Sequence, residues 1–233
     1  MIIAVKPLLE VIKSVKGFKS EISFNFNQDG LYFYVIDNAN VSLISVKIKK
    51  EEFKDYRLND NLSFGLNIDD FFNIIKSHKK EDLTLEIKEN QLNLTFSNGF
   101  NALMTLINIE KEEEKSLNLE FSTILEMPYK QFKEIIKNSS EISDALSLEF
   151  KENTFKITAK GVLNKSEMAI NGFKAIKSDN ALSKYSIEYL ELLNSNIAEK
   201  VILSYKTDYP IKLELISQNI RIFQIISPRV EDD

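Results

Sequence analysis

The chain has 233 residues, with 35 acids, 30 bases and a formal charge of -5, long enough for one large domain or two of about 100 to 120 residues. A conventional DNA-binding domain is basic, so any DNA contact here must come from a local basic patch. There is no cysteine and one histidine, which excludes disulfides, thiolate zinc sites and cysteine nucleophiles and leaves a His-based triad or zinc site almost nothing to work with.

The first residues, Met1–Lys13, lack the long uncharged apolar run and small-residue cleavage site of a signal peptide. No apolar stretch approaches the ~20 residues of a membrane span. The expected location is the cytosol. Pro7–Phe18 places Leu8, Ile12 and Val15 at helical spacing, with Pro7 in the first turn where a missing N–H costs nothing. Ile22, Phe24 and Phe26 then alternate with polar residues, Asp29-Gly30 makes a turn, and a second strand follows. Val41–Ile48 reads as a third strand. Asn67 caps a second helix with Asp69 and Asp70 at its positive end and Ile68, Phe71, Phe72 and Ile75 on its apolar face. Leu83, Leu85 and Ile87 face Leu92, Leu94 and Phe96 in another hairpin, and a strand covers Asn101–Ile109. Glu110–Lys115 is charged and breaks both periods, so the linker runs from there to about Leu119.

The pattern then repeats. Met127–Ser139 is a helix with Phe132, Ile135 and Ile136 on one face. A hairpin follows from Leu146, then a helix over Ser186–Ile197 with Leu190, Leu193 and Ile197 inside. A hairpin from Val201 and a final strand, Ile220–Ile226, end the order. Ile12 to Ile135 is 123 residues, Phe24 to Leu148 is 124, and Leu94 to Leu213 is 119. Such a nearly constant offset points to a tandem duplication. Hairpin-length connections support antiparallel sheets rather than parallel crossovers. The expectation is an α+β chain of two similar domains, residues 1–109 and 121–233, joined by a linker at 110–120.

At Ile36–Ile48, IDNANVSLISVKI resembles the signature of the archaeal and eukaryotic DNA sliding clamp, the proliferating cell nuclear antigen family. Phe53–Lys76, with its Tyr-Arg pair and helix, is similar to that family's next segment. Met127–Leu146 resembles the first helix of its second domain, and Ser227–Asp233, SPRVEDD, resembles its tail. The match runs from Met1 to Asp233. It implies the DNA clamp fold, with antiparallel sheets outside and helices lining a central channel, in a ring of three subunits, homo- or heterotrimeric. The Asn101–Ile109 strand would meet a neighbour's strand around Gly172–Lys177, since open sheet edges call for a partner. An ordinary edge blunted by lysines is the alternative.

The resemblance gives the helices a role on duplex DNA. Lys130, Lys133 and Lys137 fall at i, i+3 and i+7 on one face. Lys13 and Lys16 lie on the first helix, and Lys76, Lys79 and Lys80 end the second. Each alone is equally a solvated lysine, or for the last group a complement to the helix dipole. Together they suit non-specific phosphate contact. The fourth helix departs, carrying Glu188, Glu191, Asn194 and Ser195 where the family usually places bases. The resemblance also implies a groove for short partner peptides at Ile36, Val41, Leu43, Leu117, Leu119, Pro210, Ile225, Ser227 and Pro228, through which a DNA polymerase, clamp loader, flap endonuclease and ligase would dock. These residues are otherwise plain core.

No cofactor, metal or membrane contact is expected, and no catalysis. With 6 glycines, none in a phosphate-cradling loop, a nucleotide site is not indicated. His78, among lysines, reads as an exposed residue. Competing readings are a nucleic-acid enzyme with a carboxylate metal site, drawing on Asp69/Asp70 or the acidic tail, and an unrelated β-rich interaction module. The setting is cytoplasmic and nucleoid-associated in an archaeon, nuclear in a eukaryote.

Overall fold

The computed structural model describes residues 1–109 and 117–229; most of the expected linker and the end of the tail lie outside the described residues. The first half runs β1 (Ile2–Ala4), α1 (Val5–Val15), β2 (Glu21–Asn27), β3 (Gly30–Ile36), β4 (Ser42–Lys49), β5 (Phe53–Asp55), β6 (Leu62–Asn67), α2 (Ile68–Ile75), β7 (Asp82–Lys88), β8 (Gln91–Phe96) and β9 (Asn101–Thr105). The second runs β10 (Thr123–Pro128), α3 (Tyr129–Ser140), β11 (Ala145–Lys151), β12 (Thr154–Lys160), β13 (Lys165–Ile170), β14 (Lys174–Ser178), β15 (Ala181–Ser186), α4 (Ile187–Leu192), β16 (Lys200–Tyr205), β17 (Ile211–Ile216) and β18 (Ile220–Ile226). No helix among the described residues is long and apolar enough to cross a membrane.

The strands form three antiparallel sheets, ordered β5-β1-β7-β8-β9, β14-β10-β16-β17-β18-β4-β3-β2-β6 and β13-β12-β11-β15. The order exposes the duplication. The array β5-β1-β7-β8-β9 has its counterpart in β14-β10-β16-β17-β18, and β4-β3-β2-β6 in β13-β12-β11-β15. In the nine-stranded sheet the two halves are joined edge to edge through β18 and β4, with Ile220 opposite Ile48 at one end and Ile226 opposite Ser42 at the other. The stretch around Gly172–Lys177 contains the start of β14, which pairs with β10. The strand corresponding to β4 is β13.

Alternation builds the core. Ile22, Phe24 and Phe26 on β2 and Leu31, Phe33 and Val35 on β3 all point inward and are buried. The predicted β2–β3 turn is present: Asn27 Oδ1 accepts from the N–H groups of Asp29 (2.9 Å) and Gly30 (3.1 Å). Gly30 sits at φ 140°, and a Cβ there would run into the Ile48 carbonyl oxygen. The cap on α2 is also as read, with Asn67 Oδ1 accepting from Asp70 N–H at 3.0 Å.

The helix boundaries differ from expectation in informative ways. Helix α1 begins at Val5, placing Pro7 inside its first turn, and buries Ser14 beside Leu8, Val11, Ile12 and Val15. Pro128 caps α3 rather than lying within it. The last helix stops at Leu192, with Leu193 at ψ 74°. Leu190, Leu193 and Ile197 still turn inward, but the last two do so from a loop. That loop is fixed from outside: the Tyr129 hydroxyl donates to the Leu193 carbonyl, so tertiary contact overrides local helix propensity. The strand expected over Asn101–Ile109 ends at Thr105, after which Ile107 bridges Gly65 in both directions (3.1 and 2.9 Å).

Candidate functional site

The eight lysines singled out above divide into tied and free. Lys13 pairs with Glu10 at 2.5 Å. Lys16 reaches Asp69 at 3.1 Å and lies 4.5 Å over the Phe72 ring, while Lys76 lies 5.8 Å from the same ring and donates to Asn73 at 2.6 Å. Lys133 donates to Asn196 Oδ1 at 2.7 Å and covers the Tyr129 ring at 4.8 Å. Lys130 is exposed, 3.9 Å from Glu134. Lys79, Lys80 and Lys137 are exposed.

These contacts make one surface of three helices. Phe72 gathers the cations of α1 and α2. Asn196 gathers α1 and α3: its backbone N–H and side-chain amide both donate to Glu10 Oε2, at 2.9 and 3.0 Å, while its oxygen accepts from Lys133. Glu10 does not stand out in the sequence, where it looks like one more solvated acid between Pro7 and Lys13. Burial alone would push its carboxyl up, but the hydrogen bonds from Lys13 and Asn196 outweigh it and hold the carboxyl below its ordinary value.

The acidic fourth helix is partly corrected. Glu188 and Glu191 are exposed on α4, whereas Asn194 and Ser195 lie beyond its end and Ser195 is fully buried. Burial also raises the Tyr129 phenol, which fastens this loop, to about 12. His78 is not simply exposed. Its ring lies 4.2 Å from Phe96 and 4.7 Å from Phe100, because the turn after α2 folds back over β8 and the β8–β9 loop. Asp69 of the carboxylate pair is engaged by Lys16, and among the described residues no group of three or more acids and histidines is placed to hold a metal ion.

The predicted groove residues fall mostly in one place. Ile36 stands opposite Leu43, and Leu43 opposite Ile225, so the three side chains form a row across β3, β4 and β18 on one sheet face. Leu43 is buried and the other two half-buried. Ser227 N–H donates to the Val41 carbonyl at 2.9 Å, bringing the tail and the β3–β4 loop together with Pro228 beside them. Pro210 precedes Ile211, which pairs with Ile226, so it borders Ser227. Arg229 anchors the tail beyond, its N–H to the Lys184 carbonyl at 2.7 Å and its guanidinium to Asp144 at 2.8 Å. Leu117 is 46% exposed and Leu119 half-buried. The chain reaches the groove side soon after them, at Phe121, whose ring meets that of Tyr209 at 6.1 Å.

Comparison with known proteins bears on the family and the fold. Residues 4–124 match the family model for the proliferating cell nuclear antigen N-terminal domain, and residues 115–229 match that for its C-terminal domain. The chain is 28% identical to DNA polymerase sliding clamp 1 of Thermococcus kodakarensis over 97% of this chain and 96% of that protein. It is 28% identical to DNA polymerase sliding clamp 1 of Sulfolobus acidocaldarius over 90% of each, and 26% identical to a DNA polymerase sliding clamp of Methanococcus maripaludis over 95% of each. A solved structure described as the C-terminal region of FEN-1 bound to A. fulgidus PCNA shares the fold, with a TM-score of 0.89 and 24% identity over 100% of this chain and 98% of that one. With two tandem domains of antiparallel sheets and family models covering both, the chain belongs to the proliferating cell nuclear antigen family, the DNA polymerase sliding clamps.

Proposed function

We propose that the chain closes into a ring with two further subunits around duplex DNA and holds replication and repair enzymes there by short peptides, without chemistry of its own. The observation that carries this is the pairing of β18 with β4. Their counterparts in the duplication are β9 and β13, and both are open edges among the described residues. Repeating the β18·β4 seam between chains pairs β9 with a neighbour's β13, rather than with the Gly172–Lys177 stretch. Carried over through the strand registers, Phe100 takes the place of Ile222 and Met168 that of Val46, which face each other in the seam. Phe100 and Met168 are 46% and 45% exposed, so the pairing covers two apolar side chains otherwise left in water.

The division into residues 1–109, a linker at 110–120 and 121–233 belongs to this reading, as does the use of the lysines. Lys79, Lys80, Lys130 and Lys137 are the exposed cations for phosphate, with Lys13, Lys16, Lys76 and Lys133 partly engaged in holding the helices together. A chain of net charge -5 with such a local patch tracks DNA without wrapping it. The groove at Ile36, Val41, Leu43, Pro210, Ile225, Ser227 and Pro228, with Leu117 and Leu119 from the linker, is the docking place for polymerase, loader, flap endonuclease and ligase. The solved relative with a FEN-1 C-terminal region supports that class of ligand. The archaeal relatives favour a cytoplasmic setting beside the chromosome.

Native mass tests the ring. Three times the 26.9 kDa of one chain is expected, from the chain alone or once sister subunits are added. A lone protomer with every candidate sister would refute it.

A further inference from the structure

The β3–β4 loop that rims the groove is held by one carboxylate. Asp37, 9% exposed, accepts four hydrogen bonds. Val41 N–H (2.8 Å) and Ser42 N–H (2.6 Å) reach Oδ1, and Ala39 N–H (3.1 Å) reaches Oδ2. These three are local. The fourth comes from the other domain: the Tyr189 hydroxyl on α4 donates to Oδ2 at 3.0 Å.

The backbone of Tyr189 holds the groove's second wall. Its carbonyl accepts from the buried Gln224 side-chain amide at 2.8 Å, the same amide donates to Ser42 Oγ at 3.0 Å, and Ser42 Oγ donates to the Ile225 carbonyl at 3.0 Å. Loop 37–41 and strand β18, which supply Val41 and Ile225, therefore both hang on Tyr189. The duplication offers a control. The positions corresponding to Tyr189 and Asp37 in the other halves are Asp70 and Gly161, which cannot make this bond. The contact is thus not part of the repeated fold; it belongs to the seam that carries the groove. Burial, and after it the neighbouring Asp37, push the Tyr189 phenol above its ordinary range.

We propose that Asp37 and Tyr189 form a cross-domain tether that sets the shape of the peptide groove, so that Tyr189 of α4 is a positioning residue for partner binding. This rests on the groove assignment above. The bond fixes where the loop ends relative to β18, and with it the spacing between Val41 and Ile225. Releasing it leaves the sheet intact but lets the loop move, so an incoming peptide must order the loop itself.

The test is calorimetry on the full chain with a synthetic peptide of the FEN-1 C-terminal region seen bound to the A. fulgidus relative. Wild type should bind, and Ile225→Ala with Pro228→Ala should abolish binding while native mass is unchanged. Tyr189→Phe should raise Kd about tenfold, within the usual range of coupling between sites. Asp37→Ala removes all four bonds and should cost at least as much, and combining it with Tyr189→Phe should add little, because the bond lost in Tyr189→Phe is already gone. Asp37→Asn, whose amide still meets the Tyr189 oxygen, should recover part of the loss. Amide exchange at Val41 and Ser42 should quicken in Tyr189→Phe, a reading of the loop that does not depend on the peptide. Wild-type affinity in Tyr189→Phe and Asp37→Ala, with the groove double variant still dead, overturns the tether and spares the groove. Equal binding by wild type and the groove double variant, or none by wild type, overturns the groove reading and the tether with it.

Discussion

A chain with no cysteine allows the ring seam to be read by cross-linking. If β9 pairs with a neighbour's β13 in the register of β18 and β4, Phe100 and Met168 stand opposite each other. Opposed residues in antiparallel strands have Cα atoms about 4.5–5.5 Å apart, within the ~4.4–6.8 Å that a disulfide spans. Phe100→Cys with Met168→Cys in one chain should therefore oxidise to covalent dimers and closed trimers on a non-reducing gel. A shift of one residue turns a side chain to the opposite sheet face, so Phe100→Cys with Ala169→Cys should stay uncross-linked. The same geometry sets an energy. With 46% of Phe100 and 45% of Met168 still exposed, covering the remainder contributes about 1 kcal/mol each. Replacing both by alanine should weaken each junction by about 2 kcal/mol, roughly thirtyfold in its equilibrium constant, visible as ring dissociation on dilution. Cross-linking by the shifted pair alone, or a closed ring in which neither pair reacts, would refute the register.

Two further outcomes follow from the helical surface. Glu10 has a folded-state pKa below its ordinary 4.5, so its contribution to stability is full above that value and is lost as pH falls through the lower folded one; Glu10→Gln should flatten the acid limb of the thermal midpoint against pH and cost about 1 kcal/mol at neutral pH, and an acid limb identical to wild type would contradict the Glu10–Asn196 link. On duplex DNA, Lys130→Ala with Lys137→Ala should lower the slope of log affinity against log salt by roughly 0.9 for each phosphate no longer neutralised, whereas Lys133→Ala alone should change it less, because Asn196 already holds that ammonium; equal slopes for all three would place the phosphate surface elsewhere.

The core and the duplication are legible because they are written as period. Ile22, Phe24 and Phe26, and again Leu146, Leu148 and Phe150, alternate because one face is buried. The Asn67 cap and the Asp29-Gly30 turn are local chemistry and can be read from neighbouring residues alone. The fourth helix reads too long from sequence because Leu190, Leu193 and Ile197 keep helical spacing while the Leu193 carbonyl is captured by Tyr129, 64 residues away. Strand β13 escapes notice because Lys165–Met168 shows no buried alternation, and all five residues of β14 are exposed. Glu10 and the Asp37–Tyr189 pair are invisible for a different reason: each looks like an unremarkable polar residue until the fold brings the second domain against it.

In the proposed ring, the seam inside the chain and the seam between chains are mechanically unequal. Within the chain, seven opposed pairs along β18 and β4 are reinforced by Glu10 with Asn196 and by Asp37 with Tyr189. Between chains, β9 offers only five residues and lacks the tyrosine. A ring built from these parts has its fracture line fixed in advance. Pried open, it would give way at a subunit boundary and swing each protomer as a stiff arc, so the gate through which a double helix enters would be set by the shorter of its two kinds of seam.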